Sequence, residues 1–521
     1  MSEPLALALV AGLMGVMLTI SWAVRRSTFT TLDFYLARRQ IGPSLNAAAI
    51  CGDYLSAASF LGVAGAVYAS GLDGVWFATG FSAGFLLLLV LAAPMRRAGH
   101  FSIPDFLAHR FDDSRVRLVA VAIVQLVILL YLIPQMTASG LIWEVFVGEG
   151  LGGWSPYMTG IVVSTTAIVA QAVVGGMKGT TWNQALQFGL KLFVIVLLSA
   201  IVIGQGFSYQ GALDETSRRP LAAPANVAVD DLVTGGGSPT RLLRDAREVM
   251  SPEGFRGVEE GIAAGATEVD LLVPVDNKLH PDRPLTFGEP GSRYTFVQLI
   301  ALLVTLLLGT AGLPHIANRY FTSTTGRAAR TATVWVLALA AVFYLFAVLL
   351  GVAARSELPG LVGSGVTNAD YVDGIVRVPE KALLLLAGEL GGGSLLALVS
   401  MAAFAAVFST VAGLLLAAAT SWGHDIYEQF VNPFATERRR IRFGQLAVTL
   451  TALMAAVVAL VTPTLDFSNA PSVALMVTWA FAVAGSAFTP LFLLAVWWKR
   501  TTTAGALVGM VVGAGTSVLL I

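Results

Sequence analysis

Long apolar runs separated by short polar stretches dominate this chain. A helix needs about 20 consecutive apolar residues to cross a bilayer. Runs of that kind lie at roughly 4–24, 45–70, 74–95, 116–146, 156–176, 183–205, 294–318, 331–354, 383–420, 443–463, 472–497 and 503–521. The pattern predicts an all-α integral membrane protein with about 12 transmembrane helices. The first run is preceded by Met1, Ser2, Glu3 and Pro4 and followed by Arg25 and Arg26. A secretory signal has the opposite polarity, so this run reads as a retained helix.

One long polar stretch interrupts the series, at 206–293. It is rich in Gly, Pro and acidic residues and reads as a flexible outer loop. Within it, 240–250 has the pattern of a short amphipathic helix. The run Gly235, Gly236, Gly237 and Ser238 lacks the Gly-Lys-Ser/Thr ending and the preceding strand of a phosphate loop.

Lysine and arginine fix an expected orientation. Arg25, Arg26, Arg38, Arg39, Arg96, Arg97, Arg110, Arg115, Lys178, Arg319, Arg327, Arg330, Arg438, Arg439, Arg440, Lys499 and Arg500 fall in alternate short loops. The intervening loops, such as 148–155 and 462–472, are poor in them. The basic loops are expected in the cytoplasm, which puts the N-terminus and 206–293 outside a plasma or inner membrane.

Composition strengthens the membrane reading. Apolar residues make up 56% and charged residues 12%, against about 25% charged in an ordinary soluble domain, and mean hydropathy is +0.76. Net charge is zero, which removes any general attraction to nucleic acid. One cysteine, Cys51, and five scattered histidines argue against a disulfide or a structural metal site. His315 and His424 lie near helix ends and read as interfacial. No nucleophile–base pair suggests an enzyme.

Function in membranes concentrates where helices break or carry polar groups. The second run carries Cys51, Gly52, Asp53, Ser56, Ser59 and Gly62, and the seventh carries Gly309, Thr310, Gly312 and Pro314. Runs two to six and seven to eleven form two sets of five. Because five is odd, equivalent helices run antiparallel, and a broken helix opens each half, as in an inverted repeat. Gly and Pro also serve ordinary helix packing. In the ninth run, Ser409 and Thr410 offer adjacent oxygens to a small hard cation, although such hydroxyls also bond back to their own helix. Asp53 is an ionisable group inside a span and reads as a cation site, a proton site or half of a structural pair. Lys191 follows Asn183 by eight residues, about 12 Å along the sixth run. Its ammonium pairs with a carboxylate, substitutes for a bound cation, or snorkels to the surface.

At 52–74 (GDYLSAASFLGVAGAVYASGLDG), 175–187 (GGMKGTTWNQALQ), 309–322 (GTAGLPHIANRYFT) and 411–427 (VAGLLLAAATSWGHDIY) the chain resembles the sodium:solute symporter family. Within it, the chain resembles the cation–acetate, or monocarboxylate, branch. The resemblance implies a LeuT-type five-plus-five inverted-repeat core preceded by one extra helix. The implied divisions are an extra helix in 1–30, a first repeat at 45–205, the extracytoplasmic insert 206–293, a second repeat at 294–497 and a C-terminal helix at 503–521. It also implies a sodium site built from the carbonyls of Gly52, Leu55 and Ala406 and the hydroxyls of Ser409 and Thr410. Some sodium-coupled relatives carry an acidic residue two positions after the tryptophan of the sixth run; here Gln184 follows Trp182. The chain also ends without a further C-terminal helix, and its outer insert is longer than usual for the branch.

These readings lead to sodium-coupled symport of a short monocarboxylate (acetate, propionate or pyruvate) by alternating access, with sodium as the co-transported ion. The expected solute-lining residues are Ser59, Phe60, Phe77, Thr79, Tyr131, Gln135 and Thr310. The alternatives are proton coupling through Asp53 or Lys191, a different small solute, a channel, and an enzyme or sensor whose outer insert binds ligand. The expected partners are the solute, sodium and the lipid bilayer, with an accessory small subunit left open.

Overall fold

The computed structural model describes residues 3–25, 29–218, 220–233, 239–291, 293–363, 365–461 and 472–521. Among them, ten helical stretches are long and apolar enough to cross a membrane. Two of these stretches take part in two crossings each. Ala58–Ala98 is interrupted at Gly71, where φ is 58°. Pro156–Gly204 would be about 74 Å long if straight, but it breaks at Gly176 (φ 53°, ψ −159°). A Cβ there would collide with the Phe34 ring. The crossings therefore number twelve among the described residues, as the apolar runs predict.

The chain opens with α1 (Glu3–Arg25), followed by the short α2 (Thr31–Leu36). The first five-helix set begins with a broken helix, α3 (Pro43–Tyr54) and α4 (Val63–Ser70), joined by a π-helical turn at Ala58–Gly62. It continues through α5 (Val75–Ala98), the short α6 (Ile103–Phe111), α7 (Ser114–Phe146) and the double-length α8 (Pro156–Gly204).

The segment after α8 is not the flexible loop that its composition suggests. It contains α9 (Tyr209–Thr216), β1 (Ala222–Ala228), α10 (Val229–Leu232), α11 (Arg241–Val249), α12 (Pro252–Ala263) and β2 (Glu268–Pro274). The strands pair antiparallel, from Ala222 opposite Pro274 to Ala228 opposite Glu268. Leu232, Leu243, Ala246, Phe255, Leu271 and Leu272 form an apolar core separate from that of the helical bundle. The alternation of apolar positions in 268–274 supplies the strand, and Leu243 and Ala246 on one face of α11 supply the helix contact. The glycine run 235–238 lies outside the described residues, as does most of the loop 462–472.

The second set opens with another broken helix, α13 (Phe296–Gly312) and α14 (Pro314–Thr322), and continues with α15 (Gly326–Val362). The two-residue strands β3 (Tyr371–Val372) and β4 (Ile375–Val376) precede α16 (Ala382–Thr420). That helix is kinked at Gly391 and Gly392 and runs on as a π-helix over Ser421–Val431. The set closes with α17 (Glu437–Val461), α18 (Val473–Ala487) and α19 (Thr489–Trp497), and the chain ends in α20 (Thr503–Leu520). Helix α8 packs on α16 and α3, and α13 packs on α5 and α18. The two broken helices thus lie inside the bundle, walled by helices from both sets.

Candidate functional site

The break in the first core helix can be followed bond by bond. In a continuous helix the Gly52 carbonyl would accept from Ser56, Asp53 from Ala57 and Leu55 from Ser59. Instead Ser56 N donates to Tyr54 O, and Ser59 N donates to Ser56 O. Three carbonyls are thereby released in a dry interior, where each needs another donor. Lys191 Nζ donates to Gly52 O at 2.9 Å and to Leu55 O at 2.6 Å. Thr410 Oγ1 donates to Asp53 O at 2.6 Å. The released amide of Ala57 donates to Gln135 Oε1 at 3.1 Å.

The third contact of the Lys191 ammonium is Ser409 Oγ, at 3.1 Å. The lysine therefore holds three of the oxygens expected to hold sodium. The other two serve internal bonds: Ala406 O accepts from Ser409 Oγ at 3.1 Å, and the Thr410 hydroxyl caps Asp53 O. Lys191 is fully buried and does not snorkel. Its ammonium is placed against oxygens of both α3 and α16.

Asp53 is paired with Arg319. Arg319 Nε lies 3.2 Å from Asp53 Oδ2, and both side chains are almost completely buried. The remaining guanidinium nitrogens donate to Thr181 Oγ1 at 2.7 Å and to Gln184 Oε1. Gln184 in turn donates to Ser409 O at 2.7 Å. Gly52 and Gly413 permit the close approach, because a Cβ on either would strike the Gln184 backbone or the Asp53 carboxylate respectively. Arg319 corrects the sequence reading. It is not a loop cation that marks one side of the membrane but a buried member of α14. The apolar run ends at about residue 318, so hydropathy alone puts Arg319 outside the span. The half-helix after Pro314 carries it back inside.

Comparison with known proteins bears on what such a core does. The family model described as the sodium:solute symporter family matches residues 34–513. The chain belongs to that family. The monocarboxylic acid transporter of Corynebacterium glutamicum is 33% identical over 508 residues, covering 97% of this chain and 81% of that protein. The uncharacterized symporter YwcA of Bacillus subtilis is 30% identical over 525 residues, covering 99% and 85%. A solved structure of a Na+-coupled sialic acid symporter, in a substrate-bound outward-open state, superposes with a TM-score of 0.67 at 16% identity, covering 99% of this chain and 96% of that one. The fold is the LeuT-type five-plus-five core with one preceding helix. This sodium:solute symporter family member is a multi-pass transporter and not an enzyme.

The expected solute-lining residues divide in this symporter. Phe60 and Phe77 are buried in an aromatic wall, with ring centroids 6.1 Å from Phe343 and 6.3 Å from Phe81 respectively. Ser59 Oγ lies 2.8 Å from the Tyr344 hydroxyl. Thr310 Oγ1 lies 2.8 Å from the Tyr54 hydroxyl and donates to Leu306 O. Tyr131 and Gln135, one helical turn apart on α7, both reach the first break, through Ser56 Oγ at 3.5 Å and Ala57 N. Thr79 is not brought in. It is exposed on α5 and donates back to Val75 O at 3.2 Å, because two residues along a helix turn a side chain about 200° away from Phe77.

His315, read from the sequence as interfacial, is a further departure. It is buried on the first turn of α14, with its ring centroid 5.3 Å from that of Tyr131. His424 does lie at a helix end, 3.0 Å from Glu428 and 3.6 Å from Asp105. It belongs to a polar cluster with Asp425 and Arg117.

Proposed function

We propose that this chain is a cation-coupled symporter of short monocarboxylates such as acetate, propionate or pyruvate, with the coupling cation acting between α3 and α16. The observation that carries the reading is the Lys191 ammonium bridging the Gly52 and Leu55 carbonyls and Ser409 Oγ. A protonated lysine fastens the unwound segment of α3 to α16. Loss of its proton removes the charge that orients those carbonyls and loosens the joint on which alternating access would turn. Asp53, Arg319 and a protonated Lys191 together carry one net positive charge, which one bound monocarboxylate neutralises. The named relative from Corynebacterium glutamicum supports the solute class.

A second reading for the cation is sodium, favoured by family membership and by the Ser409–Thr410 hydroxyl pair. Sodium and the ammonium compete for the same oxygens, so Lys191 would have to swing away for sodium to bind. Uptake by purified protein in liposomes separates the two. Proton coupling predicts that an inward proton gradient drives accumulation with sodium replaced by choline, and that Lys191→Ala abolishes it. Sodium coupling predicts no uptake in choline. It also predicts that Ser409→Ala with Thr410→Ala raises the half-saturating sodium concentration at least about tenfold, the loss of about 1.4 kcal/mol. Failure of every short monocarboxylate to accumulate under either gradient would reject the solute assignment.

A further inference from the structure

Two buried polar side chains at the helix breaks carry donor atoms that the fold does not use. The first is Gln135, fully buried, whose Oε1 is taken by Ala57 N while its Nε2 has no partner among the described residues. The second is His315, 1% exposed, with neither ring nitrogen partnered among the described residues. Buried polar groups are nearly always hydrogen-bonded, so two such residues in adjoining positions call for an explanation. They do adjoin. Tyr131 and Gln135 lie on one face of α7, and the His315 ring meets the Tyr131 ring edge to face at 5.3 Å.

The backbone at the same place has the same polarity. Helix α14 starts at Pro314 with Leu313 as its N-cap, and Leu313 supplies no side-chain cap. Helix geometry leaves the amides of His315 and Ile316 without intrahelical acceptors, and the helix dipole puts partial positive charge there. The free donors at this point are two amides, the Gln135 Nε2 amino group and one imidazole N–H in either neutral tautomer, the other ring nitrogen being an acceptor. The two formal cations nearby are committed elsewhere. Arg319 is held by Asp53, Thr181 and Gln184, and Lys191 by its three oxygens.

We infer that His315 is a specificity-determining residue for the solute, donating with Gln135 to a carboxylate seated at the N-terminus of α14. The inference rests on the monocarboxylate reading above and supplies the recognition element that reading lacks. Donors without a full counter-charge hold the anion and still release it, since a desolvated ion pair would bind it more firmly. Tyr54, Phe81, Phe481 and Tyr131 form an aromatic wall beside these donors, apolar in its ring faces, as a short acyl chain requires.

The test is the concentration dependence of acetate and propionate uptake by full-length protein in liposomes under a fixed cation gradient. His315→Leu should raise KM about tenfold to a hundredfold, the cost of one hydrogen bond to a charged group. His315→Asn, which keeps a donor, should fall between. Gln135→Glu keeps the acceptor for Ala57 N but opposes a carboxylate, and should raise KM at least as much; it serves if His315→Leu does not fold. A purely structural role for His315 would lower Vmax and thermal stability together while leaving KM alone. KM unchanged in His315→Asn and Gln135→Glu, with wild-type uptake intact, overturns this inference and spares the function proposal. Absence of monocarboxylate uptake by the wild type overturns both.

Discussion

Arg319 and Asp53 form the contact that organises the buried core, and only half of it is legible in the sequence. A carboxylate inside an apolar run announces itself, because burying it unpaired is costly. Its partner does not, because an arginine just past an apolar run looks like a loop cation. The two meet only because Pro314 restarts the helix and returns residue 319 to the interior. Removing one partner of a buried pair costs about 3–5 kcal/mol, since the other charge is left without compensation. Asp53→Asn should therefore lower the thermal stability of the purified protein sharply. Adding Arg319→Gln should restore part of the loss, because no buried charge then remains. Gly413→Ala offers an independent route, since its methyl group must displace the Asp53 carboxylate. A double variant no more stable than Asp53→Asn alone would show that the pair contributes through packing and not through charge. Lys191 was legible as a residue of interest, and its partners only as the cation site that the family resemblance implied. Two of the three are main-chain carbonyls, and a carbonyl becomes available only where a helix fails to close its own bonds.

At the scale of elements, apolar run length captured the crossings and glycine and proline captured the breaks, because both reflect local rules of helices in lipid. The outer insert was misread for the same reason. Its strands are seven residues long and its helices short, so beyond 240–250, which forms α11 as its pattern predicts, no stretch carries a strong period. Its stability comes from contacts between distant segments. Asp373, next to the short β3–β4 hairpin, accepts from Ser251 N at 2.6 Å, Ser251 Oγ at 2.5 Å and Gly365 N at 2.7 Å. Arg377 holds Asp270 of β2 through two bonds of 2.6 Å, and Asp73 accepts from Gly291 N and Arg293 N at 3.0 Å each. Three clasps thus tie the insert down, two to the α15–α16 connection and one to the turn before α5. Asp373→Ala removes all the bonds of one clasp, and hydrogen bonds to charged groups contribute about 1.5–3 kcal/mol each. The expected result is faster cleavage within 240–265 by limited proteolysis, with the helical bundle intact. Cleavage at the wild-type rate would mean that the insert's own core, and not this clasp, sets its order.

For the whole molecule, the decisive quantity is the charge that moves in one cycle. Around the breaks stand one carboxylate, one guanidinium that stays protonated, and one ammonium whose proton can leave. With Lys191 protonated and one monocarboxylate bound, these groups and the solute sum to zero. With Lys191 neutral and the solute gone, they again sum to zero. If sodium instead takes the oxygens beside a neutral lysine, the loaded state is once more neutral. On the proposed alternating-access cycle, the loaded and the empty protein would in each case cross between conformations with the same charge. The membrane potential, which otherwise does about 2.3 kcal/mol of work per charge per 100 mV, then contributes nothing. On the proposed coupling the chemical gradient of the cation alone would drive uptake, at about 1.4 kcal/mol per tenfold ratio. Proteoliposomes should therefore accumulate acetate at the same rate whether the potential is clamped at zero or set negative inside by a potassium gradient with valinomycin. Solid-supported-membrane recordings should show no sustained acetate-dependent current. A clear inward current would mean that more than one cation accompanies each monocarboxylate. A second cation would then need a site away from Lys191.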